Sequence, residues 1–341
     1  MIYRSKAPLR IGLAGGGTDV SPYSDLYGGA ILNVTVSLSA HANLEITQDG
    51  FIVLEAFDRN ETETHPVSTQ LPINGTLDLA KGVYNRIQKD YPFACKGMKI
   101  STFVDAPAGS GLGTSSTLVV AILGAFVEML KLPLTDYDIA HYAYDIERHD
   151  LALAGGKQDQ YAATFGGVNF MEFLKDENVI VNPLRIRPEY LYELENNLVL
   201  FYTLQSRESA TIIKAQQQNV EQKQESSIEA MHKLKEQAFQ MKEALLKGKL
   251  NQIGEILDFG FQQKKKMAAN ITNSRIDEFY ELAKKAGATG GKISGAGGGG
   301  FMIFYCPANS RYAVIEALQK AEGKVRPYSF TKFGLRTWPI L

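Results

Sequence analysis

The sequence predicts an α+β protein of two domains, with a strand-rich first half and a helix-rich second half that ends in further strands. Short segments with alternating apolar residues dominate residues 1–185, whereas apolar residues recur at helical spacing from about residue 207 onwards. A length of 341 residues, 45% of them hydrophobic and 21% charged, suffices for two domains with a substantial core. We therefore expect domains over residues 1–185 and 186–341.

The elements of the first half follow from the spacing of its apolar residues. Residues 30–47 and 50–57 alternate well enough to form long antiparallel strands. Residues 116–132, "STLVVAILGAFVEMLKL", are apolar nearly all round, which predicts a buried helix. The remaining predictions are strands over residues 10–14 and 98–107 and helices over residues 78–91 and 136–150.

Two long helices are predicted in the second half. The first spans residues 227–248, with Ser227 as N-cap and Gly248 as the stop. The second spans residues 274–288, where a Ser-x-x-Asp box opens the helix and Gly287 ends it. The lysine run at 264–266 is interpreted as a solvated helix face, the alternative being a ligand contact. The chain then ends in a predicted strand, helix and strand over residues 300–306, 309–322 and 326–337.

Composition and charge exclude several classes of function. The 36 basic and 37 acidic residues nearly cancel, so no electrostatic footprint for a nucleic acid or an anionic membrane is present. The N-terminus lacks the apolar core of a signal peptide, and no segment approaches the roughly 20 apolar residues of a membrane span. Two distant cysteines and five histidines without metal-ligand spacing argue against disulfides and zinc. We expect a cytoplasmic protein that binds neither nucleic acid nor membrane.

The first candidate site is the loop "PAGSGLGTSS", which lies between a predicted strand and the buried helix. Unpaired amides at a helix N-terminus attract anions, and glycines let the backbone approach a phosphate closely. The loop lacks the lysine of a Walker A motif, so Mg²⁺, the helix dipole or another residue must offset the charge of a triphosphate. The alternative is a strand–helix turn without a ligand. The predicted phosphate-binding residues are Pro107, Gly109, Ser110, Gly111, Leu112, Gly113, Thr114, Ser115 and Ser116.

Two further glycine-rich loops are present. The loop at 290–305 contains a formal G-x-G-x-x-G, but its glycines lead into the apolar segment "FMIFY", whereas a dinucleotide fingerprint must open a helix. The loop "LRIGLAGGGTDV" carries Thr18 and Asp19, and a carboxylate accepts hydrogen bonds from two hydroxyls of a polyol at once.

A pair of carboxylates supplies candidate catalytic groups for phosphoryl transfer. That reaction needs a metal ligand, a base or orienting group for the acceptor hydroxyl, and cations on the phosphates. Glu147 is the candidate Mg²⁺ ligand and Asp159 the candidate base, with Arg10 or Lys157 stabilising charge. The alternative for Glu147 is a surface ion pair with Arg148, which would contribute little.

In this order, the three loops and two carboxylates closely resemble the GHMP kinase superfamily. "PAGSGLGTSS" is similar to that family's P-x-x-x-G-L-G-S-S motif, with Thr114 in place of the first serine. "PLRIGLAGGGTD" is similar to its first motif and "KISGAGGGGF" to its third. The matches run from residue 8 to residue 301, which is nearly the whole chain.

The resemblance implies a fold, cofactors and catalytic residues. The N-terminal domain would be like domain 2 of ribosomal protein S5, with a left-handed βαβ crossover, and the C-terminal domain would be ferredoxin-like with inserted helices. ATP and Mg²⁺ would be the cofactors. The family's magnesium-binding serine and glutamate fall on Ser115 and Glu147, its catalytic aspartate on Asp159, and the galactokinase arginine near the reacting hydroxyl on Arg10.

The first motif helps to identify the sugar that accepts the phosphoryl group. Galactose kinases carry Gly-Glu-His-Thr-Asp there, whereas Gly16 and Gly17 replace the Glu-His pair in this chain. The motifs are most similar to the heptose 7-phosphate kinase branch, which phosphorylates the anomeric C1 hydroxyl, and L-fucose kinases are the second alternative. A non-catalytic sugar- or nucleotide-binding relative and an RNA-binding protein with an S5-like domain are further alternatives. The expected residues for a sugar phosphate are Gly16, Gly17, Thr18, Asp19, Lys157, Gln158, Arg207, Lys292, Gly295, Gly297 and Gly298.

Overall fold

The computed structural model describes residues 1–205 and 209–340, and it confirms the α+β class. The strands are β1 (Ile2–Ala14), β2 (Gly29–Ile46), β3 (Phe51–Ala56), β4 (Glu61–Pro66), β5 (Met98–Val104), β6 (Val168–Phe173), β7 (Val179–Pro183), β8 (Leu198–Tyr202), β9 (Gly290–Ile293), β10 (Phe301–Tyr305), β11 (Lys324–Val325) and β12 (Arg336–Ile340). The helices are α1 (Tyr23–Tyr27), α2 (Asp78–Asp90), α3 (Thr114–Leu130), α4 (Asp136–Asp145), α5 (Gln158–Phe165), α6 (Pro188–Asn197), α7 (Ser209–Glu221), α8 (Glu225–Leu246), α9 (Ile253–Lys264), α10 (Ser274–Lys285) and α11 (Ser310–Gln319).

The first sheet is organised around β2, which pairs with β1 along almost its whole length. On its other edge β2 pairs first with β6 and then with β5, so the sheet divides there into two arms. The strand order of the longer arm is β12-β1-β2-β5-β3-β4. The expected antiparallel pair of residues 30–47 and 50–57 is not a neighbouring pair, because β5 lies between β2 and β3 and runs parallel to β3.

Helix α3 is the buried helix that the sequence predicts, although it begins two residues earlier, at Thr114. Eleven of its 17 residues are buried, and it packs against β1 and β2 on one side and against α2, α4 and α5 on others. A helix that is apolar on every face is stable only when it is covered on every face. Its N-terminus lies at the end of the glycine loop, so the same helix that fills the core presents free amides to the site.

The second sheet has the order β11-β8-β10-β9 and is antiparallel throughout. Helices α9, α10 and α11 pack against it, and they form a second core with α7 and α8. The last strand does not join this sheet: β12 pairs with β1 of the first sheet. The chain end therefore returns to the sheet in which the chain begins.

Two helix starts differ from the sequence prediction. Helix α8 begins at Glu225, and the Ser227 hydroxyl donates to the carbonyl of Met267 at 2.7 Å rather than capping the helix. Helix α10 is capped by Asn273, whose side chain accepts from the amide of Ile276, so the Ser-x-x-Asp box does not form. Asn273 has the extended backbone conformation of an N-cap, and its side-chain oxygen reaches the Ile276 amide. Among residues 1–205 and 209–340, no helix is long and apolar enough to cross a membrane.

Candidate active site

A cavity of about 570 Å³ lies where the three glycine-rich loops meet. Its walls come from the end of β1, the loop before α3, the segment between α4 and α5, and the loop between β9 and β10. Helix α7 and the end of α9 close the remaining side. Residues that are far apart in the sequence therefore share one concave surface.

The loop before α3 forms one wall of the cavity. Its lining residues are Gly109, Gly111, Gly113, Thr114, Ser115 and Ser116. The other three predicted phosphate-binding residues lie elsewhere: Ser110 and Leu112 are fully buried beneath the loop, and Pro107 is exposed outside it. Gly113 precedes α3 with a φ of +79°, and an added Cβ atom there would lie 3.0 Å from the Asp159 carboxyl carbon. Glycine is needed at 113 both for its conformation and for this close approach.

The loop between β9 and β10 packs behind the cavity wall that the loop before α3 forms. The Ser294 hydroxyl donates to the Gly111 carbonyl at 2.7 Å, and an added Cβ on Gly295 would lie 2.6 Å from the Gly111 Cα. The loop joins two strands, so the expectation that its G-x-G-x-x-G is not a dinucleotide fingerprint is confirmed. Gly297 and Gly298 pack against Ile271 instead of facing the cavity, which leaves Gly295 as the predicted glycine that lines it.

Arg10 and Asp159 form an ion pair in the centre of the site. The Arg10 Nη2 and Nε atoms lie 2.6 Å and 2.7 Å from Asp159 Oδ1, and Arg10 Nη1 donates to the Gly111 carbonyl at 2.6 Å. Arg10 is 4% exposed, and it sits in β1 where the strand's register shifts. The Asp159 Oδ2 atom forms no hydrogen bond within the part of the chain that the structure covers. One carboxylate oxygen is thus held by the arginine, and the other accepts from no donor among the described residues.

Glu147 and Ser115 place two oxygen ligands side by side. The Ser115 hydroxyl donates to Glu147 Oε1 at 2.9 Å, and the Gln160 amide donates to Glu147 Oε2. Residues 146–150 form a π-helical turn after α4, where the sequence predicts an uninterrupted helix, and this turn directs Glu147 inward. Arg148 Nη1 lies 3.8 Å from Glu147 Oε1, but Glu147 is 1% exposed, so this ion pair is buried in the cavity wall and the expected surface position is wrong.

These two ligands fit a magnesium ion bound together with a nucleotide. Mg²⁺ prefers oxygen ligands and is usually held by one or two carboxylates plus substrate phosphates. No group of three or more His, Cys, Asp or Glu side chains in the described ranges could hold a metal by itself. The serine–glutamate pair beside the phosphate-binding wall matches that requirement.

The Gly16–Gly17 segment and Asp19 form the opposite wall. Both glycines line the cavity, as do Gln158 and Lys292. The Gln158 backbone and side-chain amides donate to Asp19 at 3.1 Å and 3.4 Å. Burial raises the pKa of Asp19, against the lowering effect of the Gln158 amide, and the nearby Asp159 charge raises it further. An added Cβ on Gly156 would lie 1.9 Å from Asp19 Oδ2, so a glycine there makes room for this carboxylate.

Two more residues expected to contact substrate, besides Gly297 and Gly298, do not line the cavity. Thr18 is fully buried, and its hydroxyl bonds the Gly15 and Ala30 carbonyls at 2.8 Å and 3.0 Å, so it fixes the turn after β1. Lys157 is also buried, and its ammonium group faces Asp25 at 3.8 Å and the Tyr144 ring at 5.5 Å behind the wall. Arg207 lies outside the described residues.

Sequence reasoning missed two buried polar residues that line the cavity in the second half of the chain. Lys264 belongs to the lysine run interpreted as a solvated face, but it is 3% exposed and lines the cavity. Lys266 is the exposed member of that run. Gln216 of α7 also lines the cavity and is 2% exposed. The available signal was helical periodicity: Lys264 follows Leu257 and Phe261 on the buried stripe of α9.

Known protein families match both halves of this chain. The family models "GHMP kinases N terminal domain" and "GHMP kinases C terminal" match residues 78–167 and 241–324. The D-glycero-alpha-D-manno-heptose 7-phosphate kinase of Campylobacter jejuni is 45% identical over 337 residues, 99% of each chain. The bifunctional fucokinase/GDP-fucose pyrophosphorylase of Arabidopsis thaliana is 26% identical, over 87% of this chain and 29% of the plant protein.

A solved structure extends the likeness to three dimensions. The crystal structure of a D-glycero-D-manno-heptose 1-phosphate kinase from Bacteroides thetaiotaomicron superposes with a TM-score of 0.86 at 46% identity and covers 99% of both chains. Together with the loop before α3, the serine–glutamate pair and the arginine–aspartate pair, this full-length match leads to one conclusion. The chain belongs to the GHMP kinase family, and it is a phosphotransferase.

Proposed function

We propose that this enzyme transfers the γ-phosphoryl group of ATP, with Mg²⁺, to the anomeric C1 hydroxyl of D-glycero-D-manno-heptose 7-phosphate. The products are the 1,7-bisphosphate and ADP, and the bisphosphate leads to a nucleotide-activated heptose. Two relatives at 45% and 46% identity over 99% of the chain carry heptose phosphate kinase names, which supports a heptose phosphate as the acceptor. A cytoplasmic location stays a prediction.

The observation that carries the proposal is the state of Asp159. Arg10 holds its Oδ1 atom at 2.6 Å, and Gly113 brings the carboxylate against the start of α3. A hydroxyl placed at Oδ2 would be oriented for attack on a phosphate that rests on the α3 amides. The acceptor oxygen forms a bond to the γ-phosphorus, the bond from that phosphorus to the β–γ bridging oxygen breaks, and Asp159 takes the hydroxyl proton.

The phosphates are stabilised without a lysine in the glycine loop. The free amides of Thr114, Ser115 and Ser116 and the positive end of the α3 dipole face the cavity. Ser115 and Glu147 would hold Mg²⁺ beside them. A magnesium ion held there would supply positive charge that offsets the charge of the phosphates during transfer. Arg10 adds a buried positive charge next to the reacting groups.

L-Fucose is the second candidate acceptor. The fucokinase relative is 26% identical over 87% of this chain, so it supports a sugar hydroxyl as the acceptor. Its sequence identity is lower than the 45% of the heptose kinase relative, which makes L-fucose the second candidate. A non-catalytic binding role is disfavoured, because a sensor has no need for a base held by a buried arginine. An RNA-binding role is disfavoured by the net charge of −1.

An acceptor panel tests the proposal. The purified enzyme is assayed for ADP formation with heptose 7-phosphate, unphosphorylated heptose, L-fucose, galactose and mevalonate, with and without Mg²⁺. We expect the highest kcat/KM with heptose 7-phosphate, and phosphorus NMR of the product should show a new phosphate coupled to the anomeric proton. A higher kcat/KM with L-fucose, or phosphate at another carbon, would overturn the assignment.

A further inference from the structure

Two buried lysine ammonium groups meet beside the glycine pair at the end of β1. Lys264 is the last residue of α9 and Lys292 lies in β9, and their exposed fractions are 3% and 6%. A Cβ atom added to Gly16 would lie 3.8 Å from Lys292 Nζ and 3.9 Å from Lys264 Nζ. Lysines from two separate elements therefore converge on one point of the cavity wall.

A third donor lies next to this point. Gln216 of α7 lines the cavity, and its Oε1 atom would be 3.6 Å from a Cβ added to Gly17. Its Nε2 atom is fully buried and has no hydrogen-bond partner in residues 1–205 and 209–340. A buried amide donor without a partner is costly unless a ligand accepts from it. We call Lys264, Lys292 and Gln216 the lysine cluster.

Within residues 1–205 and 209–340, the charges of the lysine cluster are only partly balanced. Arg10 is paired with Asp159, while Lys292 donates to the neutral carbonyl of Gly12 at 3.0 Å. Asp19 attracts Lys264, but its oxygens accept hydrogen bonds from Gln158. Buried cations without full compensation are expensive, which indicates that an anion completes this site.

The lysine cluster is separate from the groups that would hold ATP. The phosphate-binding wall consists of backbone amides before α3 and the Ser115–Glu147 pair. Arg10 and Asp159 contact that wall at Gly111 and Gly113, whereas the lysines approach Gly16, on the segment after β1. Asp159 and both lysines line the same cavity, so an acceptor whose hydroxyl meets Asp159 shares one enclosed space with the lysine cluster.

We infer that the lysine cluster binds the phosphate group that the acceptor already carries before the reaction. This inference rests on the proposed function, because it assumes an acceptor with a phosphate remote from the reacting hydroxyl. A phosphate dianion accepts hydrogen bonds from several donors at once, and two ammonium groups with one amide match it in charge and in hydrogen bonding. The cluster then makes the enzyme selective for a sugar phosphate over the same sugar without phosphate.

The charge state of Lys264 makes this recognition dependent on pH. Burial lowers the pKa of Lys264 to about 8, with Asp19 opposing this effect and Arg10 adding to it. Burial also lowers the pKa of Lys292, and the neighbouring charges of Lys264 and Arg10 lower it further, so a bound phosphate must stabilise the ammonium form of both lysines. In the free enzyme Lys264 loses its proton as the pH rises through about 8, whereas a bound phosphate retains the ammonium form. KM for a phosphorylated acceptor is expected to rise above this pH, by up to about tenfold per pH unit. KM for the unphosphorylated sugar should stay level, and level values for both would contradict the inference.

Substitution of Lys264 by methionine tests the cluster directly, since methionine keeps the apolar stem and removes the charge. We expect KM for heptose 7-phosphate to rise by about 10- to 100-fold, as for loss of a charged hydrogen bond. The kcat for this acceptor and both constants for unphosphorylated heptose should change less than about twofold. Lys266→Met, at the exposed end of the same run, is the matched control and should behave as wild type. An equal fall in kcat for both acceptors would instead place Lys264 on the transferred phosphoryl group and overturn the inference.

Calorimetry with inorganic phosphate provides a readout that needs no turnover. A non-hydrolysable ATP analogue is added at saturation so that the phosphate-binding wall is filled, and phosphate is then titrated. Wild type and Lys266→Met are expected to bind it, and Lys264→Met to bind it at least about tenfold more weakly. Equal binding by all three would refute the lysine cluster. Lack of wild-type turnover with heptose 7-phosphate would refute the proposed function instead, so the two failures are distinguishable.

Discussion

Asparagine in place of Asp159 is expected to lower kcat by about 10²- to 10⁴-fold, which is the usual contribution of a general base. The side chain keeps its size, and the carbonyl oxygen of asparagine can still accept a hydrogen bond from Arg10. In the wild-type structure, Arg10 Nη2 lies 2.6 Å from Asp159 Oδ1. What is lost is the negative oxygen that would take the proton of the acceptor hydroxyl. The measurement is steady-state ADP formation with heptose 7-phosphate over a range of acceptor and ATP concentrations.

The control for Asp159→Asn is a measurement of nucleotide binding and of Tm, neither of which depends on turnover. Affinity for a non-hydrolysable ATP analogue should match wild type, because the loop before α3 is untouched, and this binding shows that the variant is folded. The Tm is expected to fall, because the buried Arg10 loses its charged partner. Asp25→Asn, which removes a carboxylate of α1 that faces Lys157, should leave kcat within about twofold. Near-full activity of Asp159→Asn would remove Asp159 from the catalytic step.

Glutamine in place of Glu147 is expected to raise the Mg²⁺ concentration for half-maximal activity by about 100-fold or more. Changing an outer partner of a metal ligand already costs about 10- to 100-fold in affinity, and here a charged ligand is lost. The substitution also turns one acceptor into a donor, so either Ser115 or Gln160 meets an amide N–H instead of an oxygen. The measurement is the rate as a function of free Mg²⁺ at saturating ATP and acceptor.

Asp150→Asn is the matched control for Glu147→Gln. Asp150 belongs to the same π-helical turn, but its carboxylate pairs with Arg86 at 2.9 Å. Its Mg²⁺ dependence should be that of wild type. If Glu147→Gln lowers the Tm while its Mg²⁺ dependence stays unchanged, Glu147 serves the packing of α3 against α5 rather than metal binding.

About half of the strands and helices in the described residues were predicted, and these depend on neighbours in the sequence. The period of apolar residues places α2 within one residue of its prediction and α3 within two. The strand β4, with the polar sequence "ETETHP", was missed, because an exposed edge strand has little apolar alternation. The parallel pairing of β3 with β5 was missed as well, since partner choice depends on contacts distant in the chain.

Some residues of the candidate site were likewise predictable from the sequence, and others were not. Asp159, Glu147 and the loop before α3 stand in motifs, so short stretches of sequence sufficed to select them. Thr18 stands in a motif too, but its hydroxyl is hydrogen-bonded to the carbonyls of Gly15 and Ala30 and does not face the cavity. Lys264 stands in no motif, and an adjacent lysine, Lys266, is exposed. Spacing shows which face of a helix is buried, not whether a buried lysine faces a cavity.

The sequence by itself determined the α+β class, the three glycine-rich loops, the kinase family and the two carboxylates, because each is expressed in residues that are close together in the chain. Only the tertiary structure decided which side chains face the cavity. Lys264 is brought beside Lys292 by the packing of α9 against β9 and β1. Lys157 lies behind the wall because it faces Asp25 and the Tyr144 ring. A buried charge is tolerated only where such packing supplies a partner or a cavity for a ligand, and that condition involves the whole fold.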